Sequence, residues 1–241
     1  DWEAIVIDDG STDDTPAVLE RIQRDFAAYR VRVVRQQRQG IVQPRNLGVA
    51  MARGRYILPL DGDDLLSPRF LELTAPVLET RPELAYVSTT ALFFGISNKI
   101  WPRKPFDPNT LPVANQQTNT TLYRKTMWEA IGGYDGRMNE GYVDWEFWVR
   151  ATRLGWLGTR LDDCLFLYRR KSASTVMSAK NKDPELKLNI MRLNSELYNV
   201  DGLKPDDPRL QRKNYIDPSL LRSGARVSQR QTARVGALSV T

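Results

Sequence analysis

The chain alternates between short apolar runs and segments whose apolar residues recur every three or four positions. Residues 3–7 form an apolar run that ends in Asp8-Asp9-Gly10, the pattern of a buried strand entering a loop. Thr15 and Pro16 then supply a helix start, with Val18, Leu19, Ile22 and Phe26 at helical spacing behind them. The same reading gives strands over 31–35, 56–60, 84–94 and 156–169. Helices are predicted over 42–52, from Pro68 onward, over 122–131 and 144–154, and over about 184–199. In the helix from Pro68, Leu71, Pro76 and Leu78 fit the apolar period only in part.

The first 94 residues therefore read β-α-β-α-β-α-β, which predicts an α/β sheet with parallel strands. Such sheets bind ligands beyond the carboxyl ends of their strands. Two acidic clusters, Asp8-Asp9 and Asp61-Gly62-Asp63-Asp64, fall at such ends and are expected to face one crevice. The Pro-, Asn- and Gln-rich stretch 96–118, with Pro102, Pro105, Pro108 and Pro112, reads as a long loop or lid. A length of 241 residues suits one domain with an appendage. The expected division is 1–200 for the domain and 201–241 for a basic tail or connector that adds little core.

Composition narrows the chemistry. The chain has no histidine and one cysteine, Cys164. Histidine-based triads, histidine-ligated zinc, four-cysteine metal sites and an internal disulfide are thereby excluded. Acid–base work must fall to Asp, Glu, Lys or Tyr. The net charge of +6 suits an anionic ligand or surface. No apolar stretch approaches the roughly 18 residues of a membrane span, and no signal peptide is visible.

Two adjacent carboxylates at a buried strand end need compensation for repulsion and desolvation. Nucleobase N–H and ribose hydroxyl groups are suitable donors to Asp8 and Asp9. The three carboxylates of Asp61, Asp63 and Asp64 form a hard-oxygen set suited to Mg²⁺ or Mn²⁺ shared with phosphate, or equally a surface turn. Arg45, between the two clusters in sequence, can fork onto phosphate. After the Gly132-Gly133-Tyr134-Asp135 turn, Asp144 stands at a predicted helix start with Phe147, Trp148, Ala151 and Leu154 as the apolar face behind it. Asp144 and Glu146 are two apart and do not share a face, so at most one points at a substrate.

Taken in order, the segments IVIDDGSTDDTP, GIVQPRNLGVAMARGRYILPLDGDDLLSP, LYRKTMWEAIGGYDGRM and YVDWEFWVRATRLG resemble the family 2 glycosyltransferases over about residues 2–175. The resemblance implies the GT-A fold, a mostly parallel sheet flanked by helices. It implies transfer of a sugar, with inversion, from a nucleotide-diphosphate donor, a UDP-sugar on family frequency, to a hydroxyl of a glycan or glycolipid. By position, Asp8 and Asp9 look like the carboxylates that hold the base and ribose, and Arg45 like the basic residue of an Ala-Arg-Asn pattern. Asp61 and Asp63 look like the Asp-x-Asp motif, with Asp61 also at the nucleotide and Asp63 the main ligand of a Mn²⁺ or Mg²⁺ cofactor. Asp144 looks like the general base. The departures are Pro44 in an alanine place, Val143 in a glutamate place and Lys171 in a histidine place. The family's first strand and helix, which precede the Asp-Asp-Gly-Ser strand, are not in this sequence, so the sheet is expected to lack its first strand.

Two rival readings stand beside the resemblance: a nucleotide-sugar-binding or scaffold domain without turnover, which those departures favour, and a sugar-phosphate nucleotidyltransferase, which also uses an α/β nucleotide site. In the tail, Arg222, Arg226, Arg230 and Arg234 recur every four residues and would share one face if helical. That face suits docking on an anionic membrane surface, which places the protein in the cytoplasm at the inner face of a membrane. Gly224, Gly236 and the weak apolar moment favour a solvated tail instead. Nothing in the sequence points to nucleic acid as a partner.

Overall fold

The structure, a computed structural model, describes residues 1–101, 106–172 and 182–225. β1 (Ala4–Asp8) and β2 (Val31–Arg35) pair in parallel, joined by helix α1 (Thr15–Asp25). After α2 (Val42–Met51) come the short β3 (Tyr56–Ile57) and β4 (Leu65–Leu66), α3 (Phe70–Thr80), the long β5 (Leu84–Gly95) and β6 (Ile100–Trp101). β7 (Leu122–Arg124) leads directly into α4 (Lys125–Ile131), followed by α5 (Val143–Arg153), β8 (Leu157–Arg170) and α6 (Asp183–Leu193).

The α/β class is as expected, and the sheet is mixed. Its order is β3-β7-β5-β8-β4, with β6 on β5. Only β5 and β8 run parallel in it; the β3–β7, β5–β7, β4–β8 and β5–β6 pairs are antiparallel. β1 and β2 form a separate two-stranded unit. The predicted strand 56–60 pairs only at Tyr56 and Ile57. Pro59 stands two residues after Ile57 and has no N–H to offer a ladder. The chain is thereby freed to turn through the acidic cluster.

Two apolar clusters hold the layers. One lies between α3 and the sheet: Phe70 and Leu78 of α3 meet Val87 and Ala91 of β5 and Phe166 of β8. Phe70, Thr74 and Leu78, four apart, are the buried face of α3, so the exposed Leu71 explains the imperfect period. The other surrounds α5, whose Trp145, Phe147, Trp148, Val149 and Ala151 are all buried. Tyr86 of β5 packs on Trp148 with ring centroids 4.8 Å apart. A side chain at Gly158 of β8 would overlap the Tyr86 ring, so the close approach of strand and ring requires glycine there.

The segment from 201 onward contributes more core than expected. Leu203, Leu210, Ile216 and Leu220 are buried against the α5 cluster. They are delivered by two single-turn helices, Pro208–Leu210 and Pro218–Leu220, each started by an aspartate whose carboxylate accepts the backbone N–H two residues on. Turns of this kind carry no strand or helix period, so apolar patterning does not flag them. Arg222 donates to the carbonyls of Ser195 and Tyr198. Arg226, Arg230, Arg234 and Gly236 lie outside the described residues, as do Pro102 and Pro105. No helix among the described residues is long and apolar enough to cross a membrane.

Candidate active site

Asp8 is the last residue of β1 and is buried. Its Oδ1 accepts the Ser11 N–H at 2.9 Å, and Arg35 Nε stands 3.3 Å from Oδ2. Hydrogen bonds from the Ser11 hydroxyl and N–H hold its carboxyl below the usual range. Oδ2 is buried without a hydrogen-bond partner, leaving an acceptor for a ligand donor. Asp9 is used differently. Its Oδ1 accepts from Gln36 Nε2 at 2.6 Å and Gln39 N at 2.9 Å, and its Oδ2 from Gly40 N at 2.9 Å. It therefore shapes the loop after β2. Gly10 has φ +74°, and a Cβ there would sit 2.9 Å from Arg38 N, so the turn between the two segments admits only glycine without strain.

The second acidic cluster meets a set of cations and donors. Arg45, on α2, places Nη2 2.8 Å from Asp61 Oδ1 and 3.1 Å from Oδ2. Asn119 Nδ2 adds a contact of 3.4 Å to Asp61 Oδ1. Lys171 Nζ lies 2.9 Å from Asp63 Oδ2. Asp64 is buried and accepts the Arg169 N–H at 2.8 Å; burial pushes its carboxyl up to about 6. Arg169 Nε also donates to the Asp63 carbonyl at 2.8 Å. β4, which follows the cluster, pairs with β8, whose end carries Arg169 and then Lys171. The sheet itself thus brings the two segments together.

Asp144 sits in the first turn of α5. Its Oδ1 accepts the Trp145 N–H at 2.9 Å and its Oδ2 the Asn115 side chain at 3.2 Å. Burial raises its carboxyl above the ordinary range, against the pull of the Arg45 charge. Asp61 also acts on it, and Arg45 feels both Asp61 and Asp144. Asp61, Arg45 and Asp144, far apart in sequence, therefore lie within electrostatic reach of one another. Glu146, two residues on, turns into the core, where Arg150 pairs with both its oxygens at 2.9 Å. Val143 is buried in the core.

The loops around these residues are stitched by asparagines. Asn46 Oδ1 accepts from Tyr134 N at 2.9 Å and Trp128 Nε1 at 3.3 Å, and its Nδ2 donates to the Tyr134 carbonyl. Asn139 Oδ1 accepts the N–H groups of Ile41 and Val42, the start of α2. Tyr142, at φ +53°, precedes α5; its hydroxyl bonds Asp183 and lies 2.8 Å from Asn214 Oδ1. Sequence reasoning missed Asn115 and Asn119 on the acidic groups. The available signal was the Asn- and Gln-rich composition of the 96–118 loop, which holds Asn115 and ends one residue before Asn119.

The acidic residues fit a hard divalent cation in one way only. No group of three or more His, Cys, Asp or Glu side chains suited to a metal occurs among the described residues. Asp61 and Asp63 offer two carboxylates, each side chain more than two-fifths exposed. One or two carboxylates completed by substrate phosphate is the usual way Mg²⁺ is held.

Comparison with known proteins bears on the family and the fold. Residues 1–140 match the family described as glycosyl transferase family 2. Chondroitin synthase of Pasteurella multocida (strain Pm70) is 27% identical over 214 residues, 83% of this chain and 21% of that protein. Chondroitin synthase of Escherichia coli is 31% identical over 162 residues, 64% of this chain and 23% of that protein. The chain thus spans about a fifth of the length of these relatives. Among solved structures, Staphylococcus aureus TarS 1-349 in complex with UDP-GlcNAc superposes with a TM-score of 0.65 at 19% identity, covering 84% of this chain and 59% of that one. The mannosyltransferase PcManGT of Pyrobaculum calidifontis in complex with GDP-Man and Mn²⁺ gives 0.60 at 17%, covering 86% and 58%. These likenesses establish the fold as that of the GT-A glycosyltransferases. With residues 1–140, more than half its length, matched, the chain belongs to glycosyl transferase family 2.

Proposed function

We propose that this domain moves a sugar from a nucleoside-diphosphate donor, a UDP-sugar, to a hydroxyl of a glycan or glycolipid acceptor, with inversion and with Asp144 as general base. The observation that carries the reading is Asp144, half-buried and held by two donors, within electrostatic reach of Asp61 and Arg45. In one displacement the acceptor oxygen bonds the anomeric carbon as the bond to the diphosphate oxygen breaks. The acceptor proton passes to Asp144. A raised carboxyl pKa makes Asp144 a stronger base than a solvated aspartate. Fixed bonds from Trp145 and Asn115 keep it aimed.

Asp8 is the donor-recognising carboxylate, its Oδ2, ion-paired with Arg35 but without a hydrogen bond, suited to a base N–H or ribose hydroxyl. Asp9 supports the same wall through the loop it shapes. Arg45 and Asp61 stand where the diphosphate arrives, and Asp61 and Asp63 are the residues that would hold Mg²⁺ or Mn²⁺. Such an ion, when bound, neutralises charge on the departing diphosphate. The relatives named chondroitin synthase support a glycan acceptor. The test is calorimetric titration of UDP, GDP and dTDP, each with Mn²⁺ and with EDTA. Base-selective, metal-strengthened binding is expected; no binding to any of the three would overturn the donor site.

A further inference from the structure

We infer that Lys171 is a built-in counter-cation of the diphosphate site: it occupies Asp63 before a divalent cation arrives, weakens the site's hold on that cation, and supplies part of the positive charge that a nucleoside diphosphate requires. This rests on the donor-site reading above. The geometry that points to it is the pairing of each exposed carboxylate in the cluster with its own fixed charge. Arg45 spans both oxygens of Asp61, and Lys171 lies 2.9 Å from Asp63 Oδ2. The arrangement is not left to two free side chains. β4 is paired with β8, and Asp64 binds the Arg169 N–H, so the backbone two residues before Lys171 is pinned beside Asp63.

A divalent cation entering this site meets two carboxylates that are already neutralised, and the ammonium of Lys171 repels it. Its electrostatic attraction is correspondingly reduced. Both members of the pair are exposed by two-fifths or more, so the pair is open to exchange. Lysine suits the exchange: a compact charge on a flexible four-carbon stem can leave a carboxylate for a phosphate oxygen without moving the backbone. Arg169, the neighbouring cation, is committed to the Asp63 carbonyl and to the face of Phe94, 4.4 Å from the ring centroid.

The test uses the whole chain, its Lys171→Met variant and its Lys171→Arg variant. Mn²⁺ alone is titrated, with the free ion counted by electron paramagnetic resonance. The Met variant is expected to bind Mn²⁺ on the order of tenfold more tightly than the parent, and the Arg variant to stay close to the parent. UDP is then titrated in EDTA, where the Met variant is expected to bind about tenfold more weakly, and in saturating Mn²⁺, where most of that difference disappears. Mn²⁺ affinities that agree between parent and Met variant, or no Mn²⁺ binding by the Met variant, overturn the inference. So does a UDP affinity in EDTA that the Met substitution leaves unchanged. UDP that fails to bind the parent under every condition overturns the donor-site reading instead, and the Mn²⁺ titration still decides the role of Lys171.

Discussion

Asp144 and Glu146 stand two positions apart on one helix and meet opposite environments. Glu146 is fully buried with the Arg150 guanidinium on both its oxygens, which leaves it nothing to offer a substrate. Asp144 is half-buried against neutral donors and shares Arg45 with Asp61, so its carboxyl is raised but not locked in a private ion pair. Asp144→Asn keeps the side-chain oxygen that can accept the Trp145 N–H and removes the basic lone pair. It should lower kcat by about 10²–10⁴-fold while UDP affinity, measured calorimetrically, changes little. Because burial raises the Asp144 pKa, the acid limb of the parent's kcat–pH profile should fall above the ordinary carboxylate range, activity rising as pH rises through it. Asp64 allows a separate test. Its carboxyl is about 6 folded against 3.8 for an unperturbed aspartate, so the folded state binds the proton more tightly. Its contribution to stability is full below pH 3.8 and is lost as pH climbs through about 6. Asp64→Asn should flatten the stability–pH curve in that window, read by urea unfolding at several pH values; an unchanged slope would contradict the burial of an ionisable carboxyl there.

At the scale of elements, the start of α5 is fixed from behind by α6. Lys187 of α6 has no exposed side-chain surface, pairs with Asp183 at 2.6 Å and donates to the carbonyls of Leu210, Arg212 and Tyr215. Asp183 in turn bonds the Tyr142 hydroxyl, two residues before Asp144. Lys187→Met leaves a buried carboxylate and three carbonyls without their cation. It should cost about 3–5 kcal/mol, seen as a fall of roughly 6–20 °C in melting temperature. Gly158→Ala is the packing counterpart: the added methyl enters the space of the fully buried Tyr86 ring, and about 1–3 kcal/mol of overpacking is expected in the same measurement. Neither effect is legible in sequence. A lysine four residues after an aspartate reads as a surface pair, and a glycine at a strand start reads as a turn. Helix α5 was legible because five of its residues are large and apolar, although Leu154, expected on its buried face, is half exposed just beyond the helix.

For the molecule as a whole, the sequence carried the strand ending in Asp8, the helix bearing Asp144 and the α/β class, whereas the second acidic cluster lies in the turn between β3 and β4 rather than at a strand end. Each depends on local period or on residues adjacent in the chain. It did not carry the sheet order, because β3, β4, β6 and β7 are two or three residues long and too short to show a period. Nor did it carry the role of the segment after residue 200, whose buried residues are spaced by capped single turns. That segment is where the whole-molecule prediction lies. Leu203, Leu210, Ile216 and Leu220 each lose nearly all their exposure in the α5 cluster, and burying one such side chain contributes about 1.5–3 kcal/mol. Four of them sum to a figure comparable with the entire 5–15 kcal/mol margin of a typical domain. Ordering the segment offsets part of this, but its removal also strips Lys187 of all three of its carbonyl partners. A chain ending at residue 199 should therefore unfold at much lower urea concentration than the full chain, or lose its cooperative transition. The loss should extend to the tertiary signal of the tryptophans on α5, Trp145 and Trp148, which lie in the same cluster. If the shortened chain unfolds at the same urea midpoint as the full one, the segment is an appendage after all, and α5 owes its position to the sheet alone.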